Sequence, residues 1–125
     1  MRESSELLFQ FVGKERQPQW DRYVSGCSSG HFMQSYAWGQ FRETSGWRAE
    51  YLLGLKNSQP AGAALLLSRS LPLLGVRIYT VPRGPVVEGG DREILILLLD
   101  RIRNHVKKNR GVFVRIDPYL EESSD

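Results

Sequence analysis

The sequence holds one cysteine and two histidines. A lone thiol, Cys27, cannot close an internal disulfide, so nothing points to an oxidising compartment, and zinc would need far more Cys and His than are present. Long apolar runs are also missing. The longest, Ile94 to Leu99, is far short of the ~20 residues that cross a bilayer. The opening stretch carries Glu3 and Glu6 and no following apolar block, which excludes a usual secretory signal. The imbalance of charge is small as well: 17 Lys and Arg against 14 Asp and Glu leave a net charge of +3 and a sequence pI of about 9.2, too mild an excess to name an anionic partner. There is no internal repeat and no low-complexity tract. These absences together predict a cytoplasmic protein that meets any membrane substrate from the aqueous side.

What is present suffices for one globular domain. At 125 residues, with 41% hydrophobic and 25% charged side chains, the chain has room for one core and none for a second domain. Leu7 to Val12 is rich in strand formers and ends at Gly13. Pro18 suits a first helical turn, and Trp20, Tyr23, Val24 and Cys27 follow at helical spacing until Ser28-Ser29-Gly30. His31 to Gln34 reads as a short extended lead into a helix capped by Ser35 and closed by Ser45-Gly46. Trp47 to Lys56 and Ala61 to Ser70 make a hairpin across Asn57-Ser58-Gln59-Pro60, and Val76 to Val81 is the next strand. Asp91 caps a helix from about Arg92 to Arg110 whose apolar residues recur at three- and four-residue steps, and Gly111 stops it. Val112 to Ile116 is the last strand, ended by Asp117-Pro118. This order predicts an α/β sandwich with helices covering a mixed, largely antiparallel sheet. Residues 119–125, acidic and polar, read as a tail or the start of a linker.

Three short stretches bear on chemistry. Gln34-Ser35-Tyr36-Ala37-Trp38-Gly39 puts an amide and a hydroxyl at a helix start, where free N–H groups can hold an anionic or polar ligand; equally, it can be a helix cap with a Trp anchor. Tyr79-Thr80-Val81-Pro82-Arg83-Gly84-Pro85 sets Arg83 in a rigid loop, able to grip a phosphate or carboxylate or to pair with a neighbouring acid. The two prolines forbid a regular central ladder there. Arg115-Ile116-Asp117-Pro118 holds Asp117 at a strand end, as a site carboxylate or as a turn former. His31 and His105 have no nucleophile or acid at telling spacing. The cations Lys107, Lys108 and Arg110 suit either a helix dipole or RNA phosphates, and no RNA-binding motif accompanies them.

As an ordered set, Trp20-Asp21, Gln34-Ser35 with Trp38-Gly39, Gly46-Trp47, the Ala61 to Arg69 strand, Tyr79 with Pro82 to Pro85, and Ile116-Asp117-Pro118 resemble the opening part of the Fem-type (FemABX) peptidoglycan aminoacyltransferases. The resemblance implies the N-terminal portion of a GNAT-like domain. It implies a cross-bridge enzyme that moves an amino acid from aminoacyl-tRNA to the stem-peptide amine of a UDP-linked or lipid-linked precursor. It further implies precursor contacts by Gln34, Ser35, Trp38 and Asp117. Some members carry a Lys for the precursor's phosphates where this chain has Ala37, and Arg83 is the conjectural substitute. No metal is expected, and no cofactor beyond the aminoacyl-tRNA co-substrate. The rest of the active site is expected beyond Asp125 or on a complementary chain. Two alternatives remain: a non-catalytic GNAT-like binding or scaffolding module, and an acyl-CoA N-acyltransferase. The second is disfavoured because no Gly-rich pyrophosphate turn is present and Val87-Glu88-Gly89-Gly90-Asp91 carries acids.

Overall fold

The computed structural model describes residues 6–118; the tail expected at 119–125 lies outside them. Five strands form one sheet in sequence order: β1 (Leu7–Val12), β2 (Arg48–Lys56), β3 (Gln59–Leu71), β4 (Val76–Arg83) and β5 (Gly111–Pro118). The first four are antiparallel neighbours, and β5 runs parallel to β4. That last pairing needs a crossover, supplied by the 17-residue helix α3 (Arg92–Lys108). Helices α1 (Gln17–Gly26) and α2 (Tyr36–Glu43) lie before β2.

The strand pattern sorts side chains onto two faces. On β3, Ala63, Leu65 and Leu67 join Trp20, Val24, Tyr36 and Tyr51 in the core under α1 and α2. Ala64 and Leu66 face the other way and join Tyr79, Val81, Ile94, Leu98, Ile102 and Val106 under α3. Because β3 is covered on both faces it reads as an unbroken apolar run, whereas half-covered strands alternate. The expected α/β sandwich is the observed one. Asp91 caps α3 as its sequence position suggests, accepting from the Ile94 N–H at 3.2 Å.

Four local readings change. The β2–β3 connection is a two-residue turn, with Asn57 and Ser58 both at positive φ (51° and 68°), so Gln59 and Pro60 enter β3; paired positive φ is what a tight hairpin demands. His31 to Gln34 is a 3₁₀ turn, Phe32–Gln34, in place of an extended lead. β4 continues through Pro82 to Arg83, and β5 through Asp117 to Pro118, in register Pro82↔Asp117 and Arg83↔Pro118. Pro82 is tolerated because its carbonyl points toward the β3 side of the sheet, so its missing N–H falls on that side and costs the β5 ladder nothing.

Tyr51 fastens α2 to the sheet. Its hydroxyl donates to the Tyr36 carbonyl at 2.8 Å and accepts from Gln40 at 3.2 Å. Its ring stacks on Tyr36 at 4.4 Å and meets Trp20 edge-on at 5.3 Å. Burial pushes the Tyr51 phenol up to about 12, against about 10 in an unfolded chain. A raised phenol contributes stability that is complete below about pH 10 and lost as pH rises through about 12. Thermal unfolding followed by circular dichroism is therefore expected to show a falling Tm across that window, with a shallower fall in Tyr51→Phe.

Candidate functional site

The site is built around a gap in the β-ladder. β3 and β4 pair from Leu71↔Val76 to Leu67↔Thr80, and then β4 turns away through Val81 to Pro85. The chain returns at Val86, which exchanges both backbone hydrogen bonds with Ala63, at 2.7 and 2.9 Å. Between these points Leu65 has no strand partner on that side. The Gln34 carboxamide takes the place of the missing peptide: its oxygen accepts from the Leu65 N–H at 2.7 Å, and its nitrogen reaches the carbonyls of Pro82 at 2.7 Å and Leu65 at 3.4 Å. Gln34 is 0% exposed, so these groups have no water to turn to.

Several motif residues serve this one arrangement. A Cβ at Gly84 would lie 2.6 Å from the Gln34 carboxamide carbon, so glycine is required there by close approach. The Trp20 indole donates to the Gln34 carbonyl at 2.7 Å. Asp21 accepts from the Tyr36 N–H at 2.9 Å and Ser35 from the Trp38 N–H at 3.1 Å, satisfying two free donors at the start of α2. A side chain at Gly39 would collide with the Tyr51 hydroxyl.

The residues expected to bind ligand thus fall into two groups. Gln34 is enclosed and its amide is committed to backbone groups, so in this structure it positions the loop and presents nothing to a ligand. Ser35 spends its hydroxyl on the cap while lining an open pocket of ≈ 490 Å³ with Asp21, His31 and Phe32. Trp38, Arg83 and Asp117 all keep solvent access. Asp117 is the register partner of Pro82, one residue from Arg83. Arg83 is exposed at φ 56°. Burial and, secondarily, the Arg83 charge hold the His31 imidazole below its usual range. From His31 an aromatic row continues through Phe32 at 4.6 Å to Trp38 at 5.4 Å and Phe41 at 5.4 Å, with the Arg42 guanidinium 6.0 Å from the Trp38 ring.

Sequence reasoning missed Phe32, whose ring is 63% exposed; an aromatic inside a short apolar stretch looks like core. His105 belongs to a separate cluster, contacting Glu50 at 3.1 Å and the Phe11 ring at 4.4 Å. Cys27 is buried, and burial raises its thiol, which makes it a poor nucleophile. Among the described residues no group of His, Cys, Asp and Glu is arranged to hold a metal ion, and no helix is long and apolar enough to cross a membrane.

A five-stranded mixed sheet with a parallel β4–β5 pair, a break in β4 and helices on both faces defines a GNAT-like domain. The solved structures agree: the GNAT family acetyltransferase of Staphylococcus aureus superposes with TM-score 0.65 at 9% identity, covering 95% of both chains. FemX superposes more tightly, with TM-score 0.80 at 24% identity over 91% of this chain and 28% of that one. The FemAB family profile matches residues 16–124, and the chain belongs to the FemAB family. The lipid II:glycine glycyltransferase of Staphylococcus aureus is 28% identical over 101 residues, 81% of this chain and 24% of that protein. The chain therefore spans about a quarter of the length of the curated relatives it matches.

If the Gln34 carboxamide holds the gap open, Gln34→Ala leaves three buried backbone groups unpaired and should cost about 3 kcal/mol or more, at ~1–3 kcal/mol for each orphaned group. Gly84→Ala should also destabilise, through the clash with the same amide. Urea unfolding with an unchanged m-value is the check, beside Gln40→Ala, whose single part-buried bond predicts a loss of about 1 kcal/mol.

Proposed function

We propose that this chain is the precursor-binding part of a peptidoglycan aminoacyltransferase. Such an enzyme transfers an amino acid from aminoacyl-tRNA to the stem-peptide amine of a cell-wall precursor, at the cytoplasmic face of the membrane. One observation carries the reading: the three motifs meet at one end of β4 through Gln34, Pro82 and Asp117, where the buried Gln34 carboxamide fixes the loop, Arg83 and Asp117 remain accessible, and Trp38 is reached along the aromatic row from His31. Family membership and the glycyltransferase named above support it.

The chemistry assigns these side chains binding and orienting roles. Arg83, always charged and planar, suits a phosphate or carboxylate of the precursor. The row Phe32, Trp38 and Phe41 offers flat faces to a nucleobase or sugar. Asp117 suits a hydroxyl, amide or ammonium donor. In the transfer itself the stem-peptide amine attacks the ester carbonyl at the tRNA 3′ end and loses a proton, and the ribose oxygen leaves with one; a base and oxyanion donors must meet at the reacting carbon. That machinery is assigned to the remainder of the longer enzyme or to a complementary chain.

An acyl-CoA N-acyltransferase is the weaker reading. The α3 N-terminus, where a pyrophosphate would sit, is occupied by the Asp91 carboxylate at 3.2 Å from the Ile94 N–H, with exposed Glu88 at the turn before it. Two carboxylates there repel a second anion.

Calorimetric titration with UDP-N-acetylmuramoyl-pentapeptide, with acetyl-CoA as control, tests the reading. Saturable binding is expected for the nucleotide alone, weakened about tenfold or more by Arg83→Ala, which removes a charge-assisted hydrogen bond worth about 1.5–3 kcal/mol. A similar factor is expected in Trp38→Ala, which removes a stacking face worth about 1–3 kcal/mol, and a smaller one in Asp117→Asn, which keeps an accepting oxygen. Binding that ignores all three changes, or that favours acetyl-CoA, contradicts it.

A further inference from the structure

The opposite end of the sheet carries a feature that precursor binding leaves unused. The β3–β4 hairpin tip presents Leu73 at 98% and Leu74 at 70% exposure, and Val112 at the start of β5 is 63% exposed. Two leucines standing almost free on a turn forgo burial that their side chains would otherwise gain. They stand beside the end of α3: the Arg77 N–H donates to the Arg110 carbonyl at 3.0 Å, and a Cβ on Gly75 would lie 3.7 Å from an Arg110 guanidinium nitrogen. Arg110 is exposed there, and Lys107 and Lys108, also exposed, precede it in the last turn of α3. From Arg101 to Ile116 the chain carries six cations and no carboxylate. The helix dipole accounts for cations in a last turn but not for the leucines beside them.

We propose that this end of the domain docks on an anionic bilayer, Leu73 and Leu74 entering between headgroups while Lys107, Lys108 and Arg110 meet lipid phosphates. The combination of a small apolar tip beside a cationic helix end is what an anionic interface selects: the tip alone would be a weak anchor, and the cations alone would adsorb to any polyanion. RNA fits less well, because the tip offers aliphatic side chains with no ring for a base to stack on. Seven steps along β4, at ~3.3 Å each, put Arg83 roughly 23 Å from the tip, so docking leaves the candidate site clear of the surface. The proposal stands independently of the function assigned to that site.

Co-sedimentation with phosphatidylcholine vesicles, with and without ~30% phosphatidylglycerol at ~0.1 M salt, is the test. Binding is expected only to the anionic vesicles. It should fall about tenfold in a Leu73→Ser, Leu74→Ser variant and by a similar factor in Lys107→Ala, Lys108→Ala. All four side chains are solvent-facing, so both variants should keep the parent's circular dichroism and Tm. A Leu73→Trp reporter should shift its emission to the blue with anionic vesicles and not with polyphosphate. Equal binding to neutral vesicles overturns the proposal. So does binding that the serine changes leave intact while RNA competes for it, which would make the patch a polyanion surface. A dimer dissolved by the serine changes, with no vesicle binding by the parent, would give the leucines to a second copy and overturn it as well.

Discussion

The arrangement at the end of β4 depends on one side-chain amide doing the work of a peptide bond. Where β4 leaves β3, the sheet would bury an unpaired N–H and two carbonyls, at a cost of the order of 1–3 kcal/mol each. Gln34 supplies one acceptor and two donors in the right plane and closes the account. Its position is fixed in turn by the Trp20 indole on its own carbonyl, and Gly84 is held to glycine by the amide's proximity. A buried polar group so fully satisfied is specific as well as stabilising, because no apolar residue of similar size offers the same bonds.

The opening it maintains separates two tasks within the same short motifs. Gln34, Ser35, Tyr36 and Gly39 spend their chemistry inside the protein, on the gap, the helix cap and the Tyr51 contact. Trp38, Arg83 and Asp117 spend theirs outside. GNAT-like acetyltransferases share the fold at about 10% identity, so the fold by itself chooses no ligand, and the residues lining the break in β4 are what can. Here the helix start near the break is self-capped by Asp91, leaving the cation and aromatic row as the features facing solvent.

Much of the architecture was legible. The continuous apolar run of β3, the three- and four-residue steps of α3, and the caps Ser35 and Asp91 are local signals, and local signals survive folding. Gln34 was legible only as a motif member, because a polar amide before a helix reads as surface; its partners lie 31 and 48 residues away, and nothing nearby announces the gap it fills. The available hint was Gly84 between two prolines, a place where the chain must turn and something must come close. Phe32 was passed over for the converse reason, an apolar side chain left exposed. The extension of β4 across Pro82 depended on which side its carbonyl faced, and that is a tertiary fact.

Amide hydrogen exchange in Gln34→Leu, compared with the parent protein under conditions where both are folded, tests the central claim most directly. Protection is expected to be lost together at Leu65, at Gly84 and Val86, and in β5 around Ile116 and Asp117, while the β1–β2 ladder stays protected. Loss confined to Leu65, with the Gly84 to Val86 loop and β5 unchanged, would contradict it and show that the break in β4 stands without its amide.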